Sequence, residues 1–502
     1  MASNILVIGG GANGLACAFR LAKAGARVTL VEAAEQVGGG ARTVEFAPGF
    51  RASGLAHLLQ GFDARAAKEM RLERHGFQTS APLATILPGE TPLTIAASGE
   101  LSGAAPEVTE EWDALTARLN RHARRLAPFR QLPPPRVKGR NDWMSLAPTA
   151  LGLGRAGRRD LRDLMRLLLT NAADVAEDDL SDPRLQGLLA FEATLGAWAG
   201  PRSPGTLLLE LNRRAMGAPR LPKGGMGALA GAMRRAVEAA GVTLRTGTRA
   251  ERLVIEGDRA RGAVLSTGEV LAADQVVSAL CPRTTLLGLA GAAALDTGIV
   301  RRATAMPFRG GAAKLHLAIE GDPGFGPGVD LGARIVLAPS VDHVERAFNP
   351  VKYGEATDAP VMEITCPTAH DPSLAPEGHH VLSIIAQFVP HAPKDPAAAR
   401  ARFLAGIKAR LEEAAPGIGA RIRHEELLMP SDIEARYGLT GGSWHHGDFA
   451  VERMLFLRPF HEAARYAAPL PGLWLASAGS HPGGGVTGTA GWNAAGQILR
   501  AA

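Results

Sequence analysis

The chain has 502 residues, 46% of them hydrophobic and 21% charged, with a net charge of +6. That length exceeds one compact core and points to two intertwined domains. The mild charge, with no basic tail, excludes a nucleic-acid role, and three scattered cysteines (Cys17, Cys281 and Cys366) exclude a disulfide framework or a dithiol reductase. No stretch approaches 18 uncharged apolar residues and the start lacks a basic leader, so neither a transmembrane helix nor a signal peptide is expected and a cytoplasmic protein is.

Asn4 to Ile8 is an apolar run ending in glycine, the pattern of a buried parallel strand. Gly9, Gly11 and Gly14 follow as G-x-G-x-x-G. Gly9 permits the tight turn, Gly11 lets the backbone approach a pyrophosphate, and Gly14 lets the next helix pack on the strand. The pyrophosphate is expected on Gly11, Ala12, Asn13 and Gly14, at a helix N-terminus. That helix runs to about Ala24, with Gly25 as its stop. The strand Arg27 to Val31 ends in Glu32, 18 residues after Gly14. Its carboxylate can take both hydroxyls of an adenosine ribose and repels a 2′-phosphate, which disfavours NADP. Downstream, Gly39 and Gly40 let the chain cross near a diphosphate that Arg42 can pair with, beside Thr43. The turn alone does not separate FAD from NAD.

Residues 60–100 read as short strands and turns. A helix is expected from Thr109 to about Leu126, with Trp112, Leu115, Leu119 and Leu126 on one face. Pro133-Pro134-Pro135 breaks the chain, and 144–200 reads as mostly helical. Within it Arg155, Arg158, Arg159, Arg162 and Arg166 flank Leu161, Leu164, Met165, Leu168 and Leu169. Two readings stay open there: a surface helix packing its leucine face on the core, or an amphipathic patch that touches an anionic membrane.

A helix from about Leu229 to Ala240, stopped by Gly241, leads into strands at 242–245, 250–256, 261–266 and 270–279. No second G-x-G-x-x-G follows a strand, so no separate NAD(P) site is expected. Strands are expected at 312–319, 361–366 and 381–387, and an amphipathic helix at 397–415. His445, His446 and Asp448 form the densest metal-ligand cluster; adjacent histidines point different ways, so the segment reads as a polar loop and no metal is expected. The strand 473–478 runs into Gly479-Ser480-His481-Pro482-Gly483-Gly484-Gly485-Val486-Thr487-Gly488, with a helix starting near Thr489. A helix N-terminus there stabilises negative charge on a ligand.

The Gly38–Thr43 stretch resembles the G-G-x-x-R-[ST] segment of the FAD-binding amine oxidase and phytoene desaturase superfamily. Gly479–Val486 is similar to the G-x-G-[ST]-H-P-G-x-G-[IV] segment of its phytoene desaturases. The likeness extends to the branch that includes pyridine nucleotide-disulfide oxidoreductase domain-containing protein 2, on Ser443-Trp-His-His-Gly-Asp448, Leu457-Arg-Pro459, Asp371–His379 and Gly491-Trp-Asn-Ala-Ala495. Nothing in the sequence supports disulfide chemistry.

The resemblance implies FAD and an α/β two-domain flavoprotein: a discontinuous Rossmann-type FAD-binding domain (1–95, 206–292, 441–502), a helical insertion (96–205) and a mixed-sheet substrate domain (293–440). It places adenine near Ala250, with Ser278 also beside the cofactor, and the flavin against Gly479, Ser480, Gly488 and Thr489. It puts Lys314 near flavin N5 and His481 beside the ring as a polar group or proton acceptor, with His57, His445 and His446 as further candidates. Amine oxidases set an aromatic side chain where this chain has Gly488. The implied activity is that of a phytoene desaturase: desaturation, isomerisation or saturation of an apolar, isoprenoid-like substrate. Electrons would pass to a quinone, oxygen or another protein, at the inner face of a membrane or in the cytoplasm. The alternatives are an amine or amino-acid oxidase and a flavin-binding scaffold without turnover.

Overall fold

A computed structural model describes residues 3–134 and 157–501. Pro135, Arg155 and the expected helical residues 144–156 lie outside the described residues. Five parallel strands form the nucleotide-binding sheet, in the order Leu473–Leu475, Gln275–Ser278, Asn4–Ile8, Arg27–Val31, Thr243–Arg245. They come from both ends of the chain and from its middle. The central strand Asn4–Ile8 is apolar throughout its interior because both its faces are covered. Helices Ala12–Lys23, Met226–Ala239 and Thr489–Ala501 bury one face. A three-stranded antiparallel sheet, Ala250–Glu256, Arg259–Leu265 and Val270–Ala272, covers the other.

The first and last helices pack very closely. A side chain at Gly491 would overlap the carbonyl oxygen of Asn13, which explains a glycine inside a helix, where it costs about 1 kcal/mol relative to alanine.

The second layer is an eight-stranded mixed sheet, in the order Ile422–Leu428, Gly310–Glu320, His379–Pro390, Val361–Thr365, Arg334–Leu337, Thr85–Leu87, Leu93–Ile95, Leu101–Ser102. The helix Pro396–Ala414 packs on it through Phe403, Ile407 and Leu411. Helices Pro106–Gln131, Gly157–Leu169, Ala172–Asp179, Pro183–Thr194 and Thr206–Arg214 form a cap whose core continues onto one face of that sheet through Leu93, Val336, Val361 and Phe388.

The expected elements at 27–31, 361–366 and 397–415 fall within a residue or two of those seen. The 60–100 region differs. It contains a helix, Ala64–Met70, because the Asp63 carboxylate caps it by accepting the N–H groups of Arg65 and Ala66.

Candidate active site

A cavity of about 1020 Å³ runs between the two sheets. Its nucleotide end is lined by Gly9, Gly11, Ala12, Asn13, Gly14, Glu32, Gly39, Gly40, Arg42 and Ala250. Gly9 has φ +101, which a side chain resists. A side chain at Gly14 would overlap the Gly9 carbonyl oxygen, so the turn and helix close on each other. A Cβ at Gly11 would meet nothing within 4 Å. The turn therefore faces open space, and the helix N-terminus behind it points at that space.

The Glu32 carboxylate is held in place before any ligand arrives. Its Oε2 accepts Gly10 N–H at 2.7 Å and its Oε1 accepts Ala34 N–H at 2.9 Å. Arg42 donates through Nε to Gly39 O at 3.1 Å and lies 5.0 Å over the Tyr437 ring. This end fits an extended dinucleotide.

Six of the expected cofactor residues stand behind this wall. Thr43 Oγ1 donates to Gly224 O and accepts Gly227 N–H, stitching two segments of the nucleotide-binding unit together. Ser278 Oγ is bonded to Thr285 Oγ1 at 2.6 Å. Gly479 packs on Pro282, the Ser480 hydroxyl is buried, Gly488 lies against Ala16 and Phe62, and Thr489 N–H donates to Thr487 Oγ1. The part of the C-terminal motif that lines the cavity is Gly484-Gly485-Val486.

The two catalytic candidates also stand back. His481 Nε2–H donates to Phe129 O at 2.8 Å, and Tyr466 Oη–H donates to the His481 carbonyl. Burial pushes the His481 ring down to about 4, so it is neutral and turned toward the helical cap. Lys314 is fully buried. Its Nζ donates to Ser383 Oγ at 2.7 Å, and burial holds its pKa well below the lysine range.

Lys314 instead begins a buried chain that walls the other end of the cavity. Ser383 Oγ is 3.3 Å from His57 Nδ1, and His57 Nε2–H donates to Glu363 Oε1 at 2.9 Å. Burial, then the charge of Lys314, pushes His57 down to about 4. The ring is neutral, so Nδ1 accepts from the Ser383 hydroxyl. Arg334 Nε donates to Glu363 Oε2 at 2.6 Å, and Arg334 also binds Glu192, which pairs with Arg213. Burial works to raise the Glu363 carboxyl, but Arg334, His57 and Arg213 together outweigh it and hold the group ionised, far below the usual carboxylate range. His57, Glu192, Arg213 and Glu363 reach the cavity surface between Leu58, Leu195, Leu209, Met216 and Ile385.

Sequence reasoning missed this chain apart from Lys314 and His57. The signal for it was a charged residue inside an otherwise apolar run, as with Glu363 in Val361–Thr365 and Glu192 in residues 187–194.

The histidine pair is cavity wall and not the polar loop expected. Trp444 Nε1–H donates to His445 Nε2 at 3.1 Å, and the His445 ring stacks on Phe449 with centroids 4.8 Å apart. Arg458 Nη2 donates to the His445 and Ala478 carbonyls at 2.5 and 2.8 Å, pulling the segment inward. Burial, then Arg458, pushes His445 to about 3 and His446 to about 4. Asp448 is taken by Arg309 at 2.5 Å.

Family comparison settles the cofactor. The family of flavin containing amine oxidoreductases matches residues 13–499. The chain belongs to that family. It is an FAD-dependent oxidoreductase. It is similar to pyridine nucleotide-disulfide oxidoreductase domain-containing protein 2 of Rattus norvegicus, 26% identical over 552 residues, 99% of this chain and 93% of that one. It is also similar to hydroxyneurosporene desaturase of Cereibacter sphaeroides, 28% identical over 513 residues, 96% of this chain and 94% of that one. The fold is shared with cyclohexylamine oxidase from Brevibacterium oxydans, at TM-score 0.61 and 15% identity, covering 100% and 99% of the two chains.

Gly11 to Gly14, Glu32, Gly39, Gly40 and Arg42 are the residues that would hold FAD. When bound, FAD supplies a hydride acceptor. The protein supplies position, a dry enclosure and a fixed wall of neutral histidines and paired charges.

Proposed function

We propose that this oxidoreductase takes hydrogen from a carbon of a largely apolar substrate, as a desaturase does. The observation that carries the reading is the wall at the non-nucleotide end. Its neutral side chains are Leu58, Ala193, Leu195, Leu209, Met216, Ile385 and Phe449, and its carboxylates are paired with arginines or His57. Among the described residues at that end, no carboxylate stands without such a partner to receive an ammonium group. The desaturases among its relatives support the same reading.

An amine oxidase reading asks for two aromatic rings facing each other across the substrate. Trp444 and Phe449 both line the cavity, but the Phe449 face is taken by the stacked His445 ring, which also accepts Trp444 Nε1–H, and position 488 is a glycine against Ala16 and Phe62.

The test is product analysis by mass spectrometry after incubation with long polyenes, fatty acyl chains and primary amines. Loss of two hydrogens from an apolar substrate, or a shifted double bond in it, is expected. Aldehyde and ammonia from an amine, with the apolar substrates unchanged, overturns the reading.

A further inference from the structure

Among the described residues, the helix Gly157–Leu169 is bound to the molecule by one face. Leu164 and Leu167 are buried in the core of the helical cap, and Asp160 and Asp163 are tied down. Arg118 binds Asp163 at 2.5 Å and Arg125 binds Asp160 at 2.7 Å. The helix therefore has a fixed orientation, and its outer surface is set.

That surface carries two parallel rows. Leu161, Met165 and Leu169 are 43%, 52% and 73% exposed. Spaced by four, they lie one above another along the helix. Arg158, Arg162 and Arg166 are spaced the same way, three residues before each, so they form an adjacent exposed row. Among the described residues Arg158, Arg159 and Arg162 have no acidic partner, and Arg166 has only a loose contact with Asp178 at 3.6 Å. Beside the rows lies a hollow lined by Arg118, Arg121, Arg159, Arg162 and Arg166 with Asp160 and Asp163, where Arg118 is also bound to Asp179 at 3.0 Å. The excess there is cationic and points outward.

We propose that this helix face docks on the surface of a bilayer rich in anionic phospholipid. The leucine and methionine row enters the boundary between headgroups and acyl chains, and the arginine row and hollow hold lipid phosphates. A row of unpaired arginines does not suit a second copy of this face, because like charges would meet. It also does not suit a purely apolar partner, because the guanidinium groups would lose their water. A layered surface, apolar below and anionic above, satisfies both rows at once. The helix packs on Thr206–Arg214, which supplies Leu209, Asn212 and Arg213 to the cavity wall. Docking would thus hold the substrate end of the cavity close to a store of apolar molecules. The docking itself is independent of the proposed chemistry and is read without substrate.

The test is co-sedimentation of the FAD-loaded full chain with sucrose-loaded vesicles, either pure phosphatidylcholine or phosphatidylcholine with 30 mol% (roughly a third) phosphatidylglycerol. Binding to the anionic vesicles is expected, weak or absent on the neutral ones, and falling as salt rises through the range where the screening length drops below about 10 Å. The triple variant R158Q/R162Q/R166Q should lose about 100-fold in partitioning, from roughly 1 kcal/mol for each arginine. The variant L161S/M165S/L169S should bind more weakly at every salt concentration. A control triple, R27Q/R252Q/R261Q, removes the same charge from exposed positions elsewhere and should bind as the parent does.

Parent protein that stays in the supernatant with anionic vesicles at low salt overturns the proposal. So does parent-like binding by both helix variants, or a self-association of the parent that L161S/M165S/L169S abolishes. The salt and lipid dependence of the parent decides the matter even where a variant fails to fold.

Discussion

The two ends of the cavity are built on opposite principles. The nucleotide end is backbone. Gly9, Gly11, Gly14, Gly39 and Gly40 shape it, and its one fixed side-chain anion, Glu32, is held by two N–H groups. The other end is side chain. Lys314, Ser383, His57, Glu363, Arg334, Glu192 and Arg213 form one bonded series drawn from seven separate stretches of the sequence. A backbone-built end can bind one ligand shape through a short local motif. A side-chain-built end can be retuned residue by residue while the cofactor stays in place. That division suits an oxidoreductase family whose members share a cofactor and differ in substrate.

The sharpest way to break the contrast is to cut the side-chain series. Arg334→Met leaves Glu192 and Glu363 without their shared cation in a dry setting. A loss of about 3–5 kcal/mol is expected, because the orphaned charges stay buried. Denaturant unfolding followed by tryptophan fluorescence measures it, and a loss under 1 kcal/mol would mean the series is not a unit. Next is the backbone end. Gly11→Val fills the open space above the turn, so FAD affinity should fall about 100-fold with the fold intact, since specificity there rests on close backbone approach. Flavin fluorescence titration reads this, and an unchanged Kd would remove the turn from the site.

The third effect is pH. His57 and His481 are held near 4 when folded, against about 6.5 when unfolded. Below pH 6.5 the unfolded chain takes up protons that the folded chain refuses, so stability falls as pH drops, until about pH 4. The expected loss is about 2 kcal/mol for each histidine between pH 6.5 and 5. His57→Gln and His481→Gln should each flatten that slope; an unchanged profile in both would mean these rings are already charged. The smallest effect is at Glu32. Glu32→Gln keeps one acceptor and loses the charge, so FAD should bind about tenfold more weakly, near the value of one charged hydrogen bond.

The same contrast explains what was legible in the sequence. The strand Asn4–Ile8, the glycine turn and Glu32 obey local spacing, and each lines or frames the cavity as expected. The C-terminal motif was legible as a strand, loop and helix, but the loop's contribution was displaced by a few residues. Its lining portion is Gly484-Gly485-Val486 because Gly479 packs on Pro282 and His481 turns toward Phe129. Lys314 was found, but its direction was not, since direction is set by Ser383 on the neighbouring strand. Glu363 and Arg334 became neighbours only through sheet register: Glu363 pairs with Val336, two residues beyond Arg334. No spacing in the sequence encodes that.

The central claim is that FAD in this cavity receives hydride from an apolar substrate. The most direct measurement is the absorbance spectrum of the purified protein under anaerobic conditions, before and after addition of polyenes, lipids and amines in turn. The expected result is a bound-flavin spectrum bleached by an apolar class and untouched by amines. A protein that is colourless and takes up no FAD, or a flavin bleached only by amines, would contradict it.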